Sequence, residues 1–198
     1  MKQRTYTSVL LIGLVVVSVM LLSHPVTSLR AQSQTSGLRD NDELARLYKE
    51  DQADRTPMNG KPIDWNVVGP RDRAREARAK ELYTTNQLRT GADYYHVAMV
   101  LQHADTPEDY LLAHELCVVA ISKGEERAKW LAAASEDRFL MSIGRPQRFA
   151  TQFRSDGPNS AMRLYQVEQG VTDELRRALE VPGLAEAKLR EARMNKKN

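Results

Sequence analysis

The sequence predicts an all-α protein: a compact bundle of about six to seven helices built from helical hairpins. Three observations carry this. Apolar residues recur at helical spacing in successive segments, helix start and stop residues bracket those segments, and no alternating run exceeds a few residues. β-Branched residues cluster mainly in the N-terminal segment, which reads as something other than fold.

That N-terminal segment, residues 1–31, reads as a signal peptide. Lys2 and Arg4 give a basic start, and residues 9–22 form an apolar run broken only by Gly13 and Ser18. A secretory apolar core is about 7–15 residues long, whereas a spanning helix needs about 20. Pro25 ends the run, and Ser28 and Ala31 are small enough for a signal peptidase. The alternative is an uncleaved N-terminal anchor. With no Cys after the run and no Arg-Arg pair, lipoprotein and twin-arginine routes are disfavoured. Export to the periplasm or beyond is therefore the expected location. Residues 32–42 are a polar, flexible leader, and 43–198 form one helical domain.

Within that domain a first helix is expected over 43–55, capped by Asp42, with Leu44, Leu47 and Tyr48 on one side. Residues 56–69, with Pro57, Gly60, Pro62 and Gly69, read as a loop that Ile63, Trp65, Val67 and Val68 fasten to the core. A second helix, 71–83, is rich in Arg, Glu and Ala and reads as a surface helix laced with i,i+4 pairs. A third, 92–103, is apolar round much of its girth, which argues for a central position. The fourth starts cleanly at Thr106-Pro107 and stops at Gly124. The fifth, 125–141, ends before Gly144 and Pro146, and a loop fills 145–160. Residues 164–167 suit a short extended piece, Thr172 starts a helix that Pro182 stops, and 183–194 close the chain as a last helix.

Charge excludes one class of function. The chain holds 29 Lys+Arg and 26 Asp+Glu. Three of the bases, Lys2, Arg4 and Arg30, fall in residues 1–31, where there is no acid. The remainder is balanced, so the basic character belongs to the export segment and no nucleic-acid partner is expected. Cys117 is the single cysteine and sits in an apolar run, so burial is expected rather than catalysis.

Several strings resemble an uncharacterised bacterial domain of unknown function. They are Glu50-Asp51-Gln52-x2-Arg55, Asp93-Tyr94-Tyr95-His96-x-Ala98-Met99-x2-Gln102-His103, Trp130-Leu131-x-Ala133-x3-Asp137-Arg138-x-Leu140, Gly144-x-Pro146-Gln147-x3-Thr151-Gln152 and Thr172-Asp173-Glu174-x-Arg176. The resemblance covers most of the mature chain and implies a helical domain without a defined chemistry. The chain departs from that pattern at Ala104 and Ala150, where Gly is expected, and Gly alone takes φ > 0 without strain. A weaker resemblance, carried by Ala113, Ala120, Gly124, Ala128 and Leu131, is to the helix-pair joints of Sel1-like and tetratricopeptide-type repeats. No second copy recurs at a fixed period, so a helical-hairpin bundle accounts for it better.

The residues able to carry chemistry are few. Asp93 and His96 stand at i,i+3 and suit a carboxylate–imidazole pair, the orienting half of a general base. His103 lies seven residues beyond His96, about 10.5 Å along a helix, which is too far to share one metal ion. Core histidines with ordinary partners are the competing explanation. Asp137 and Arg138 adjoin a polar loop with Gln147, Thr151 and Gln152, and with His103 these make a candidate ligand-binding set. The competing explanation is an internal salt bridge from Arg138 to Asp51 or Asp93, with the loop wrapping helix ends. His114-Glu115 lacks the second His of a zinc protease because Val118 stands there, and no nucleophile elbow, phosphate loop or dinucleotide fingerprint occurs. No cofactor and no metal are expected.

Three functions fit these features. The first is an exported binding or interaction module that holds a protein, peptide or cell-envelope ligand, touching the membrane only through an uncleaved N-terminus. The second is a small hydrolase or lyase with His96 as base, Asp93 orienting it and Arg138 holding an anion. The third, a purely structural envelope protein, requires a domain without a concave pocket.

Overall fold

A computed structural model of the chain describes residues 37–56, 62–157 and 160–196. The expected signal peptide, residues 1–31, and residues 32–36 of the expected leader lie outside the described residues. Seven helices run through the described part: α1 (Asp42–Asp54), α2 (Trp65–Thr84), α3 (Gly91–Leu101), α4 (Pro107–Ser122), α5 (Ala128–Ser142), α6 (Asp173–Ala178) and α7 (Leu184–Met194). Two antiparallel two-residue strands, β1 (Phe153–Arg154) and β2 (Arg163–Leu164), lie between α5 and α6. The protein is an all-α helical bundle, as its sequence predicts.

The centre of the bundle is α3. Every residue from Tyr95 to Leu101 is buried, and the helix packs against α1, α2, α4 and α5. Its apolar girth is the reason, because each face of it must find a neighbour. The hairpins α3–α4 and α4–α5 share the most extensive interfaces. Ala113, Ala120, Ala128 and Leu131 line them, each fully buried. Gly91 is held so closely by the α4–α5 turn that a Cβ there would stand 2.9 Å from Glu125 Cβ. Cys117 is fully buried, and burial raises its thiol pKa, so it stays protonated. Among the described residues no helix is long and apolar enough to cross a membrane.

Helix ends follow local chemistry. Thr106 caps α4 with Pro107 at its first position, Thr172 caps α6, and Gly124 and Gly144 end α4 and α5 at φ +87° and +74°. Three expectations need correction. The α1 cap is Asn41 rather than Asp42, and its side chain accepts from the Glu43 and Leu44 amides. Helix α2 begins six residues earlier than expected, at Trp65, and carries Pro70 inside it. Asp64 caps it, and of the four apolar residues meant to fasten a loop only Val68 is buried, while Trp65 and Val67 are exposed. Lastly, α6 stops at Ala178, before Pro182, with Glu180 at φ +58° behind it.

A further correction concerns the charges of α2. They are spent chiefly across to α1 instead of along the surface. Arg55, at the C-cap of α1, grips both Asp72 oxygens at 3.1 and 2.8 Å and Asp51 at 2.8 Å. Arg75 bridges Asp54 at 2.8 Å and Asp72 at 2.6 Å, Arg71 adds Asp54, and Arg78 reaches Glu43. Asp51 and Arg75 are nearly inaccessible to solvent, so this is a half-buried network in which each charge needs the others.

Candidate functional site

The expected site residues separate into three places. Asp93 and His96 share the first turns of α3 but make no hydrogen bond to each other among the described residues. The Asp93 carboxylate accepts from the amides of Asn41 (2.8 Å), Arg89 (2.9 Å) and Thr90 (3.0 Å). It completes a capping box with Thr90 and ties the start of α1 to the start of α3. His96 instead stacks on Tyr48, with ring centroids 4.7 Å apart, and its buried Nδ1 has no partner among the described residues. Burial, helped by the Arg127 charge, lowers its pKa. The orienting carboxylate of a His96 base is thus absent from this arrangement.

The second place is the loop after α5. Asp137 is fully buried and accepts from the amides of Arg148 (2.7 Å), Phe149 (2.9 Å) and Thr151 (3.0 Å) and from the Thr151 hydroxyl (2.7 Å). Gln147, also fully buried, donates to the carbonyls of Gln152 and Tyr165 and accepts the Gln152 amide at 2.8 Å. Gln152 donates to the Ala134 carbonyl. These side chains fold the loop onto α5, and their hydrogen-bonding capacity is used in doing so. Ala150 sits in that loop at φ +66°, where the resemblance expected Gly. Ala104, by contrast, does not take positive φ.

The third place is an open cavity of about 290 Å³ where five segments converge. Arg55 comes from the end of α1. Trp65, Gly69, Asp72, Arg73 and Glu76 come from α2. Gln102, His103 and Asp105 come from the end of α3 and the turn after it, Tyr110 from α4 and Arg138 from α5. Of the sequence-selected residues, His103 and Arg138 meet here.

Arg138 is the unusual member. The expected salt bridge to Asp51 or Asp93 is not formed. Asp51 is engaged by Arg55 and Gln52, and Asp93 by three backbone amides. Among the described residues the Arg138 side chain makes no hydrogen bond or ion pair, and its Nε is buried. Arg75 and Arg176 also have a buried, unpartnered Nε, yet both pair through their terminal nitrogens. Burial, together with the nearby Arg55 charge, lowers the Arg138 pKa. An uncompensated, part-buried guanidinium is costly to keep.

Its neighbours leave the charge uncancelled. His103 is pushed down to about 3 by burial and then by the Arg55 and Arg138 charges, so its ring is neutral at pH 7. Its Nε2 lies 3.7 Å from Asp51 Oδ2, beyond hydrogen-bond reach. Burial raises the Tyr110 pKa, against the pull of Arg138, so its hydroxyl remains a donor. The cavity thus offers a part-buried guanidinium without a partner among the described residues, beside a neutral His103 and Tyr110, with the exposed Trp65 also in its lining. Nothing in the sequence marks Trp65 and Tyr110 as its neighbours, because they come from helices that only the tertiary fold brings to Arg138.

Among the described residues no group of three His, Cys, Asp or Glu side chains is placed to hold a metal ion. Comparison with protein-family models, with curated proteins and with solved structures finds no match for this chain.

Proposed function

We propose that this domain is a binding module that holds the anionic group of a small ligand in the Arg138 cavity. The observation that carries the reading is the part-buried Arg138 guanidinium, its Nε buried and without a counter-ion among the described residues, lining a cavity with Tyr110 and a neutral His103. A ligand carboxylate would supply the missing partner, and Arg is the side chain best shaped to take it through two bonds. The volume stands near the small end of ligand pockets, which run from about 300 Å³ upward. The basic and apolar N-terminal segment supports an exported, cell-envelope setting for this module.

The 147–152 loop is not part of the proposed site, since its polar side chains are already spent. The alternative, a hydrolase or lyase using His96, Asp93 and Arg138, draws no support from the geometry. His96 and Asp93 lie near the start of α3, whereas Arg138 meets His103 at its far end.

The test is a titration of the full chain with N-acetyl-L-phenylalanine, followed by Trp65 fluorescence in a Trp130→Phe background. Saturable binding that disappears in Arg138→Met is the expected result. Binding that survives Arg138→Met, or no binding to the parent protein, overturns the reading.

A further inference from the structure

The cavity also holds an unengaged anion. Asp105, on the turn between α3 and α4, lines it and makes no hydrogen bond or ion pair among the described residues. The other carboxylates are occupied: Asp72 by Arg55 and Arg75, and Glu76 by Lys80 at 2.6 Å. Arg138, Asp105 and Tyr110 all line this one cavity, so the unengaged cation of α5 and the unengaged anion of the α3–α4 turn face the same space. Arg138 is part-buried, whereas Asp105 is exposed at the rim. A ligand entering carboxylate first would therefore leave its opposite end beside Asp105.

Resting on the binding function proposed above, we infer that the ligand is a small zwitterion. Its carboxylate lies on Arg138, its ammonium faces Asp105, and an apolar side group rests against Trp65. A compact dianion such as phosphate fits less well. Its second charge would meet Asp72, Glu76 and Asp105, and among the described residues lining the cavity the exposed Arg73 is the one further cation without an ion pair.

The experiment compares four probes on the full chain: L-phenylalanine, N-acetyl-L-phenylalanine, L-phenylalaninamide and inorganic phosphate. The zwitterion is expected to bind about 10-fold tighter than either singly charged analogue, the worth of one added charge-assisted contact at a partly solvated site. Asp105→Asn, an exposed change that leaves the fold intact by circular dichroism, is expected to bring phenylalanine down to the affinity of its N-acetyl form. If the N-acetyl form or phosphate binds as tightly as phenylalanine, or if Asp105→Asn leaves the preference unchanged, the zwitterion inference is overturned while the Arg138 reading stands. If neither carboxylate probe binds in an Arg138-dependent way, both are overturned.

Discussion

At the scale of single residues, two of the features that the chain keeps at a cost to its stability can be tested by substitution. Arg138 holds a part-buried charge with no partner among the described residues. Replacing it by Met keeps the apolar stem and deletes the charge. The variant is expected to be more stable by about 1–2 kcal/mol in urea unfolding while losing ligand binding. A loss of stability would mean that Arg138 is scaffold. Ala150 at φ +66° is the other case. A non-glycine residue there costs about 1–2 kcal/mol, and Gly returns part of that gain as unfolded-state entropy. Ala150→Gly is expected to raise stability by about 0.5–1 kcal/mol, read as a higher urea midpoint at unchanged slope. In the sequence Ala150 stands out only as a departure from the strings quoted above, in a loop between Pro146 and Gly157. The solitude of Arg138 was not legible in the same way. Asp51 and Asp93 are reasonable partners by type, and only the fold reveals that Arg55, Gln52 and three backbone amides have taken them first.

At the scale of elements, caps were the most readable signals because they are local. Thr106-Pro107, Gly124, Gly144 and Thr172 each did their work within one turn. The start of α2 hides behind an equally local signal. Gly69-Pro70 looks like a breaker, yet Pro70 sits only two turns in, and the preceding turn is closed by amides of Val67 and Val68 donating to Asp64 O. Helix α2 is held by what it meets on α1. Its hub is Asp72, which receives three bonds from Arg55 and Arg75. Burial raises its pKa, but those guanidinium hydrogen bonds win and hold it below the usual carboxylate range. Asp72→Ala leaves both arginines short of a partner in half-buried surroundings and is expected to cost about 3–5 kcal/mol in urea unfolding. A cost below about 1 kcal/mol would reduce the network to ordinary surface pairing.

For the molecule as a whole, the juxtaposition of His103 and Asp51 sets how stability responds to acid. The His103 pKa falls to about 3 in the folded chain, from about 6.5 unfolded. Its contribution is therefore intact above about pH 6.5 and is lost as the pH falls toward 3, because only the unfolded chain takes up that proton. The Asp51 pKa moves the other way, pushed up to about 6 by burial against the pull of Arg55. Between about pH 6 and 4 the folded chain takes up a proton on Asp51 that the unfolded chain does not, so this group gains stability as the pH falls. Each slope approaches about 1.4 kcal/mol per pH unit, and across that window they oppose. The parent protein is accordingly expected to change little from His103 and Asp51 between pH 6 and 4, with His96 adding a smaller loss in the same direction as His103. Asp51→Asn removes one side of the balance. Its stability is expected to fall by roughly 2–3 kcal/mol more than the parent's over that window, measured as urea midpoints at several pH values. Parallel curves for the two proteins would show that Asp51 does not take up a proton in the folded state, and that the buried network keeps it ionised.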